Sequence, residues 1–283
     1  MTTAKSLQIV PRRSEDRGRA DHGWLKTFHT FSFATYHDND HQSFGPLRVL
    51  NEDRVASHTG FGTHSHREYE IFSYVISGAL EHRDSMGNIE ILPRGALQMT
   101  STGTGISHSE KAHGEQEVHF CQIWAAPRAG EGQGKPAYFT RHFSDAEKTN
   151  RLALLVAPST STEVSLDRES KGPAPLRSQL WMYASLIEPG VTLTHTFSHS
   201  TASSSSLTTS GARRKVYVHV IQKSGYNVEK ARGAKLRISG TIDEDGVELG
   251  EGDGAYLTFE KGVEIKLHNV GGVVTEVLLF DLE

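Results

Sequence analysis

What most limits how this chain can fold is that helical periodicity is almost missing from it. Apolar residues come instead in short β-branched or aromatic runs: Glu70–Ile76, Val118–Trp124, Leu152–Val156, Gln179–Ile187, Val216–Gln222 and Thr275–Phe280. Turn formers separate them, as in Ser77-Gly78, Met86-Gly87-Asn88, Pro93-Arg94-Gly95, Glu188-Pro189-Gly190 and Glu251-Gly252-Asp253-Gly254. Only Ser144–Asn150 reads as a brief helical turn. The pattern predicts an all-β fold of the sandwich or barrel kind.

A length of 283 residues is one large β domain or two of ordinary size. The Gly- and Pro-rich stretch Ala125–Tyr138 and the loose stretch Pro158–Pro175 flank the midpoint, so a boundary there is expected. The predicted domains are residues 1–142 and 143–283, a duplicated β-barrel of two similar halves. Residues 201–211 form a low-complexity, Ser-rich loop with no chemistry of its own.

Composition removes several function classes. With 36% apolar and 23% charged residues the chain can pack a core. A formal charge of −4 and a pI near 6.5 leave no electrostatic footprint for nucleic acid. The short basic runs Arg12-Arg13 and Arg213-Arg214-Lys215 read as solvated loops. The single cysteine, Cys121, excludes an intrachain disulfide and a thiolate zinc site, and its apolar run makes it a packed strand thiol. No window of 18 apolar residues is present, and the first residues lack the apolar stretch of a signal peptide. A reducing cytoplasm is the expected location, or the nucleus in a eukaryote.

Histidine is abundant, at sixteen residues, and twelve of them precede residue 143. The sharpest grouping is Gly60-Phe61-Gly62-Thr63-His64-Ser65-His66. On a strand, positions i and i+2 share a face about 7 Å apart at Cα, from which two imidazoles can converge on one ion. The same spacing returns in Gly105-Ile106-Ser107-His108-Ser109-Glu110. Together they offer three imidazoles and one carboxylate, a donor set suited to iron, manganese, nickel or zinc. The small residues Gly103-Thr104-Gly105 would let backbone approach such a site closely.

These residues resemble a known family. Gly60 to Gly78 is similar to the first cupin motif, and Gly87-x5-Pro93-x-Gly95 to the opening of the second, although the following histidine comes later than in most cupins. That departure agrees with the pirins. Trp24–Ala34, Leu47–Asp53, GFGTHSHREYEIFSYVISGALEHRDSMGN, TGTGISHSE and QIW all resemble pirin sequences, over about residues 12–142. The second half is similar only loosely, best in Glu276–Leu282.

The resemblance implies two tandem cupin-type β-barrels, a bicupin, with iron(II) in the N-terminal barrel only. It places the ligands on His64, His66, His108 and Glu110, the four residues reached by spacing, and gives Glu70 no metal. It implies quercetin 2,3-dioxygenase activity, as in bacterial members, or transcriptional co-regulation, as for the vertebrate protein. Three function classes follow. One is a dioxygenase acting on a flavonol-like chelator and O2, in which Glu110 also accepts the substrate proton. Another is a non-enzymatic, iron- and redox-responsive module for a protein partner. The third is a metal-dependent isomerase or sugar-binding cupin. Phe61, Gln98, Met99 and Gln122 are the expected pocket lining. His195-x3-His199 reads as a strand, where that spacing is too long for one shared ion. His82 is expected to face outward near a turn, His113 to lie in a polar loop, and His119 to pack in the core or rim.

Overall fold

A computed structural model describes residues 7–197, 213–240, 246–260 and 262–282. The Ser-rich stretch 201–211 and His199 lie outside the described residues. The N-terminal strands are β1 (Gln8–Arg12), β2 (Gly18–Asp21), β3 (Leu25–His29), β4 (Leu47–Val55), β5 (Gly60–His66), β6 (Glu70–Ser77), β7 (Ala79–Asp84), β8 (Ile89–Pro93), β9 (Ala96–Ser101), β10 (Ile106–Ala112), β11 (Val118–Ala125) and β12 (Ala137–His142). One helical turn, α1 (Asp145–Lys148), follows. Its start is a capping box: Ser144 N–H donates to Glu147 Oε2 at 2.7 Å, and Glu147 N–H donates to Ser144 Oγ at 3.3 Å. The remaining strands are β13 (Ala153–Pro158), β14 (Ala174–Leu176), β15 (Leu180–Ile187), β16 (Thr192–Thr196), β17 (Arg213–Val220), β18 (Lys235–Gly240), β19 (Val247–Gly250), β20 (Gly254–Glu260), β21 (Glu264–Asn269) and β22 (Thr275–Leu282). Among the described residues, no helix is long and apolar enough to cross a membrane.

The chain forms two compact units. The N-terminal lobe holds residues 16–148 and 153–183; the C-terminal lobe holds 1–15, 149–152 and 184–283. A single cut between residues 142 and 143 therefore does not describe the division. β13 and β14 pair in parallel within the N-terminal lobe, and the first fifteen residues belong to the C-terminal one. Such long-range pairings leave no local sign in composition, and so the midpoint rule missed them.

In the N-terminal lobe a seven-stranded sheet runs β12-β9-β6-β11-β4-β3-β2 and a four-stranded sheet runs β5-β10-β7-β8. A common core joins them: Val55, Val75, Val118 and Phe120 from the larger sheet pack with Leu80, Leu92 and Ala112 from the smaller. Each side chain of this size stabilises by about 1.5–3 kcal/mol when fully buried. β6 is buried along all but its last residue, as befits a strand inside the large sheet.

The C-terminal lobe repeats the plan. β1-β20-β17-β22 run side by side in one sheet, with β1 at its edge, and β16-β21-β18-β19 form the other. Val216, Val218, Leu257, Phe259, Leu267 and Leu279 are fully buried. The Arg214 guanidinium meets Asp281 through Nε at 2.7 Å and Nη2 at 2.5 Å, a two-point pairing that satisfies both buried charges. The molecule is thus mostly β, with two sheet-rich lobes consistent with a bicupin architecture.

Candidate metal centre

The site forms where β5 and β10 run antiparallel in the smaller N-terminal sheet. His64 stands directly opposite His108, and His66 opposite Ile106. Strand alternation puts His66 on the face of His64, as the spacing predicts. The Nε2 atoms of His64 and His108 are 3.1 Å apart. Ring centroids lie 4.5 Å apart for His64–His108, 4.7 Å for His64–His66 and 4.9 Å for His66–His108. One ligand-capable atom from each of the three lies within 4.8 Å of the others. Nδ1–H of His64 donates to the Gly62 carbonyl at 2.7 Å, which leaves Nε2 as the nitrogen free to face a ligand.

An irregularity in the ladder shapes the next turn of the site. After His108–His64 the register shifts, so that Glu110 faces Phe61 rather than Gly62. A bulge of this kind re-aims side chains. Here it brings Phe61 to the face that carries the imidazoles. Gly60 is required at the same place, because a Cβ there would sit 2.3 Å from the Glu110 carbonyl oxygen. Gly103, at φ +50°, passes so close to Gly134 that a Cβ would overlap its carbonyl. The close approach made by the small residues before β10 is therefore to the backbone of Gly134 and not to the imidazoles.

Glu110 is buried, and its carboxylate is held from three sides. Gln98 Nε2 and Ser73 Oγ donate to Oε1, and Gln122 Nε2 donates to Oε2 at 3.2 Å. Glu110 groups with His108 and with His82, their ligand-capable atoms all lying within 4.8 Å. Spacing did not suggest His82. It is fully buried, opposite Glu110 in the β7–β10 ladder, and not outward-facing as expected. Its ring stacks on Tyr138 at 4.8 Å, and its Nε2 lies 3.3 Å from Asp84 Oδ2. Among the described residues, Nδ1 of His82 and Nδ1 of His108 are buried with no hydrogen-bond partner. The missed signal was the polar strand Glu81-His82-Arg83-Asp84, whose alternation lets one face turn inward.

Electrostatics favour the neutral, ligand-ready form of His66 and His108. Burial, and then His108 and His64, push His66 down to about 4. Burial, then His64 and His82, push His108 down to about 3. Burial raises the Tyr138 phenol beyond its ordinary value, with Asp84 and Glu110 adding to the effect.

A cavity of about 490 Å³ opens on His64 and His66, within the usual range for small-molecule sites. Trp24, Phe33, Phe61 and Trp124 supply its aromatic lining, and Thr27, His29, Asn51, Asp53 and Gln122 its polar lining. Of the expected lining residues, Phe61 and Gln122 take part. Gln98 is turned to Glu110 instead. Met99, the next residue along β9, is fully buried away from this cavity, because neighbours on a strand point to opposite faces. The Glu70 carboxylate accepts from Ser101 Oγ at 2.8 Å and from the Arg177 amide at 2.9 Å. His119 is buried against Glu52 at 3.0 Å, and His113 is exposed.

The family profile described as Pirin matches residues 11–125. Quercetin 2,3-dioxygenase of Escherichia coli (strain K12) is 34% identical over 276 residues, covering 97% of this chain and 98% of that protein. The chain belongs to the pirin family. The crystal structure of YhhW from Escherichia coli resembles this pirin with a TM-score of 0.76 at 31% identity, over 98% of each chain. The nickel(II) complex of the bacterial pirin YhhW gives a TM-score of 0.75 at 31% identity, over 97% of this chain and 99% of the other. Pirin membership and the two His/Glu groups support an oxidoreductase-like role for this enzyme.

Proposed function

We propose that this pirin is a metal-dependent dioxygenase that cleaves flavonols of the quercetin type with O2. The metal is a divalent ion, iron(II) in this reading, held by His64, His66, His108 and Glu110. The two lobes are read as tandem cupin barrels. The observation that carries the proposal is the convergence of three imidazoles, two of them with Nε2 atoms 3.1 Å apart, beside an aromatic cavity. Two features fit the chain to the ion: the Gly62 carbonyl holds the ring of His64 through Nδ1, and one ligand-capable atom from each of His64, His66 and His108 lies within 4.8 Å of the others. Relatives named quercetin 2,3-dioxygenase supply the substrate class. The nickel complex of a related pirin supports a divalent ion. The N/O donor set also suits manganese, nickel and zinc.

When bound, the ion supplies Lewis acidity and open positions for a chelating substrate and dioxygen. The chain's own residues do the rest. Trp24, Phe33, Phe61 and Trp124 hold a flat ring system and keep water from it. Glu110 accepts the flavonol 3-hydroxyl proton at Oε2, the oxygen that among the described residues meets Gln122 alone, while Gln98 and Ser73 keep Oε1 in place.

The test is oxygen uptake and carbon monoxide release by iron-loaded, aerated protein given quercetin. Both are expected. Their joint absence at full iron occupancy would overturn the proposal, and turnover under anaerobic conditions would replace it with an isomerase reading.

A further inference from the structure

The cavity holds a second set of polar groups, on β3 and β4 of the seven-stranded sheet, whereas the imidazoles belong to the four-stranded one. In the β3–β4 ladder Thr27 faces Asp53 and His29 faces Asn51, so all four side chains share one face. The neighbouring ladder sets Asn51 opposite Gln122, which reaches Glu110. This patch is deeply buried: Thr27, Asn51 and Asp53 are each 2% exposed and His29 is 6% exposed.

Burial of that degree normally goes with full hydrogen bonding. Here the bonding is incomplete. Thr27 Oγ1 donates to Asp53 Oδ1 at 2.5 Å, and Asp53 Oδ2 has no partner among the described residues. His29 Nδ1–H donates to Asn51 Oδ1 at 2.9 Å. That leaves Asn51 Nδ2 as a donor and His29 Nε2 as an acceptor, again without partners among the described residues. Three unused polar atoms of both kinds therefore line a cavity whose other walls are aromatic.

The geometry points to Asp53, Asn51 and His29 as a hydroxyl-recognition subsite, selecting aromatic ligands that carry ring hydroxyls apart from the atoms offered to the metal. A hydroxyl both donates and accepts, so ring hydroxyls can pair with Asp53 Oδ2 and with Asn51 Nδ2. A bare hydrocarbon ring would leave these buried groups unpaired, the condition that gives polar sites their strongest discrimination. Burial also pushes the Asp53 carboxyl up to about 7, against the pull of Thr27 and with some help from Glu110, so it can donate as well as accept. The choice of flavonols as probes rests on the dioxygenase reading above; the subsite itself does not.

The experiment uses nickel-loaded full-length protein and compares Kd for quercetin with Kd for 3-hydroxyflavone. The second ligand keeps the 3-hydroxyl and 4-carbonyl but lacks every other hydroxyl. Quercetin should bind about tenfold tighter or better, the effect of one well-made hydrogen bond in a site of this kind. Asp53→Ala and Asn51→Leu should bring the two constants within about twofold without changing nickel content or the 3-hydroxyflavone Kd. Asp53→Asn keeps the shape and the Thr27 contact and should narrow the gap in part, which covers the case where Asp53→Ala fails to fold. An unchanged gap in Asp53→Asn and Asn51→Leu, or no gap in the wild type, overturns the subsite. Phloroglucinol, three ring hydroxyls with no chelating pair, separates the two proposals. If it binds in an Asp53-dependent way while neither flavonol binds, the subsite stands and the flavonol reading falls. If nothing binds, both fall.

Discussion

His64 and His108 face each other across a directly opposed pair of β5 and β10, with their Nε2 atoms 3.1 Å apart. Register alone brings them this close, and a third imidazole, His66, arrives by the two-residue repeat of the same strand.

Removing either member of the pair should strip the site. His64→Ala or His108→Ala is expected to weaken nickel or iron binding by more than about 100-fold, beyond the loss caused by removing an outer-shell partner. The fold is carried by the apolar core of Val55, Val75, Leu80 and Phe120, so the metal-free thermal midpoint should stay within about 4 °C of the wild type. Elemental analysis and a melting curve check both. Full occupancy in both variants would show that the ligands lie elsewhere.

Glu110 is held by its amide and hydroxyl donors, and Gln98→Leu takes one away. A buried carboxylate that loses a charge-assisted hydrogen bond costs about 1.5–3 kcal/mol. Urea unfolding of the metal-free protein should register that loss, and metal affinity should fall by roughly 10–100-fold.

Two glycines of β5 make a matched pair. Gly60→Ala drives a methyl group into the Glu110 carbonyl, whereas Gly62→Ala meets nothing within 4 Å. The first should destabilise by about 1–3 kcal/mol and lower metal affinity, and the second should do neither. Equal effects would show that the close approach of β5 to β10 has no energetic weight.

Asp53 gives stability a pH dependence of known sign. Its carboxyl is raised from 3.8 to about 7, chiefly by burial, so the native chain keeps a proton that the unfolded chain has released. The stability tied to that proton is fully present below about pH 4 and is lost as pH rises through about 7. Asp53→Asn is therefore expected to gain on the wild type as pH increases, by on the order of 2–4 kcal/mol above pH 8. Denaturant midpoints at pH 4, 6 and 8 measure it. A difference that stays flat with pH would contradict the assignment.

Alternation was enough to bring out the imidazole cluster, because His64 and His66 sit two apart on one strand, and it marked His108 and Glu110 in the same way on the next. It could not say which face of an isolated strand turns inward. Gln98 and Met99 both looked suitable, yet only one of two neighbours can reach Glu110. His82 was hidden for a related reason: its inward turn is decided by the β7–β10 register, which no short stretch of sequence specifies. The buried patch on β3 and β4 gave no such signal: Thr27 follows Lys26, and Asn51 and Asp53 stand in the unbroken polar run Asn51-Glu52-Asp53-Arg54, so no alternation marks an inward face. The all-β character was legible from turn spacing, whereas the way the lobes share out the chain depends on pairings far apart in sequence.

One such pairing bears on how the molecule comes to be made. Gln8 lies opposite Thr258 and Arg12 opposite Gly254, and Ser14 N–H is held by Asp253 Oδ1 at 2.8 Å. At translation rates of about 5–20 residues per second, the partner of β1 leaves the ribosome roughly tens of seconds after β1 itself. Throughout that interval the first strand has no ladder to join. The C-terminal lobe is completed by a strand synthesised well before its partner, and its closure has to join segments far apart along the chain.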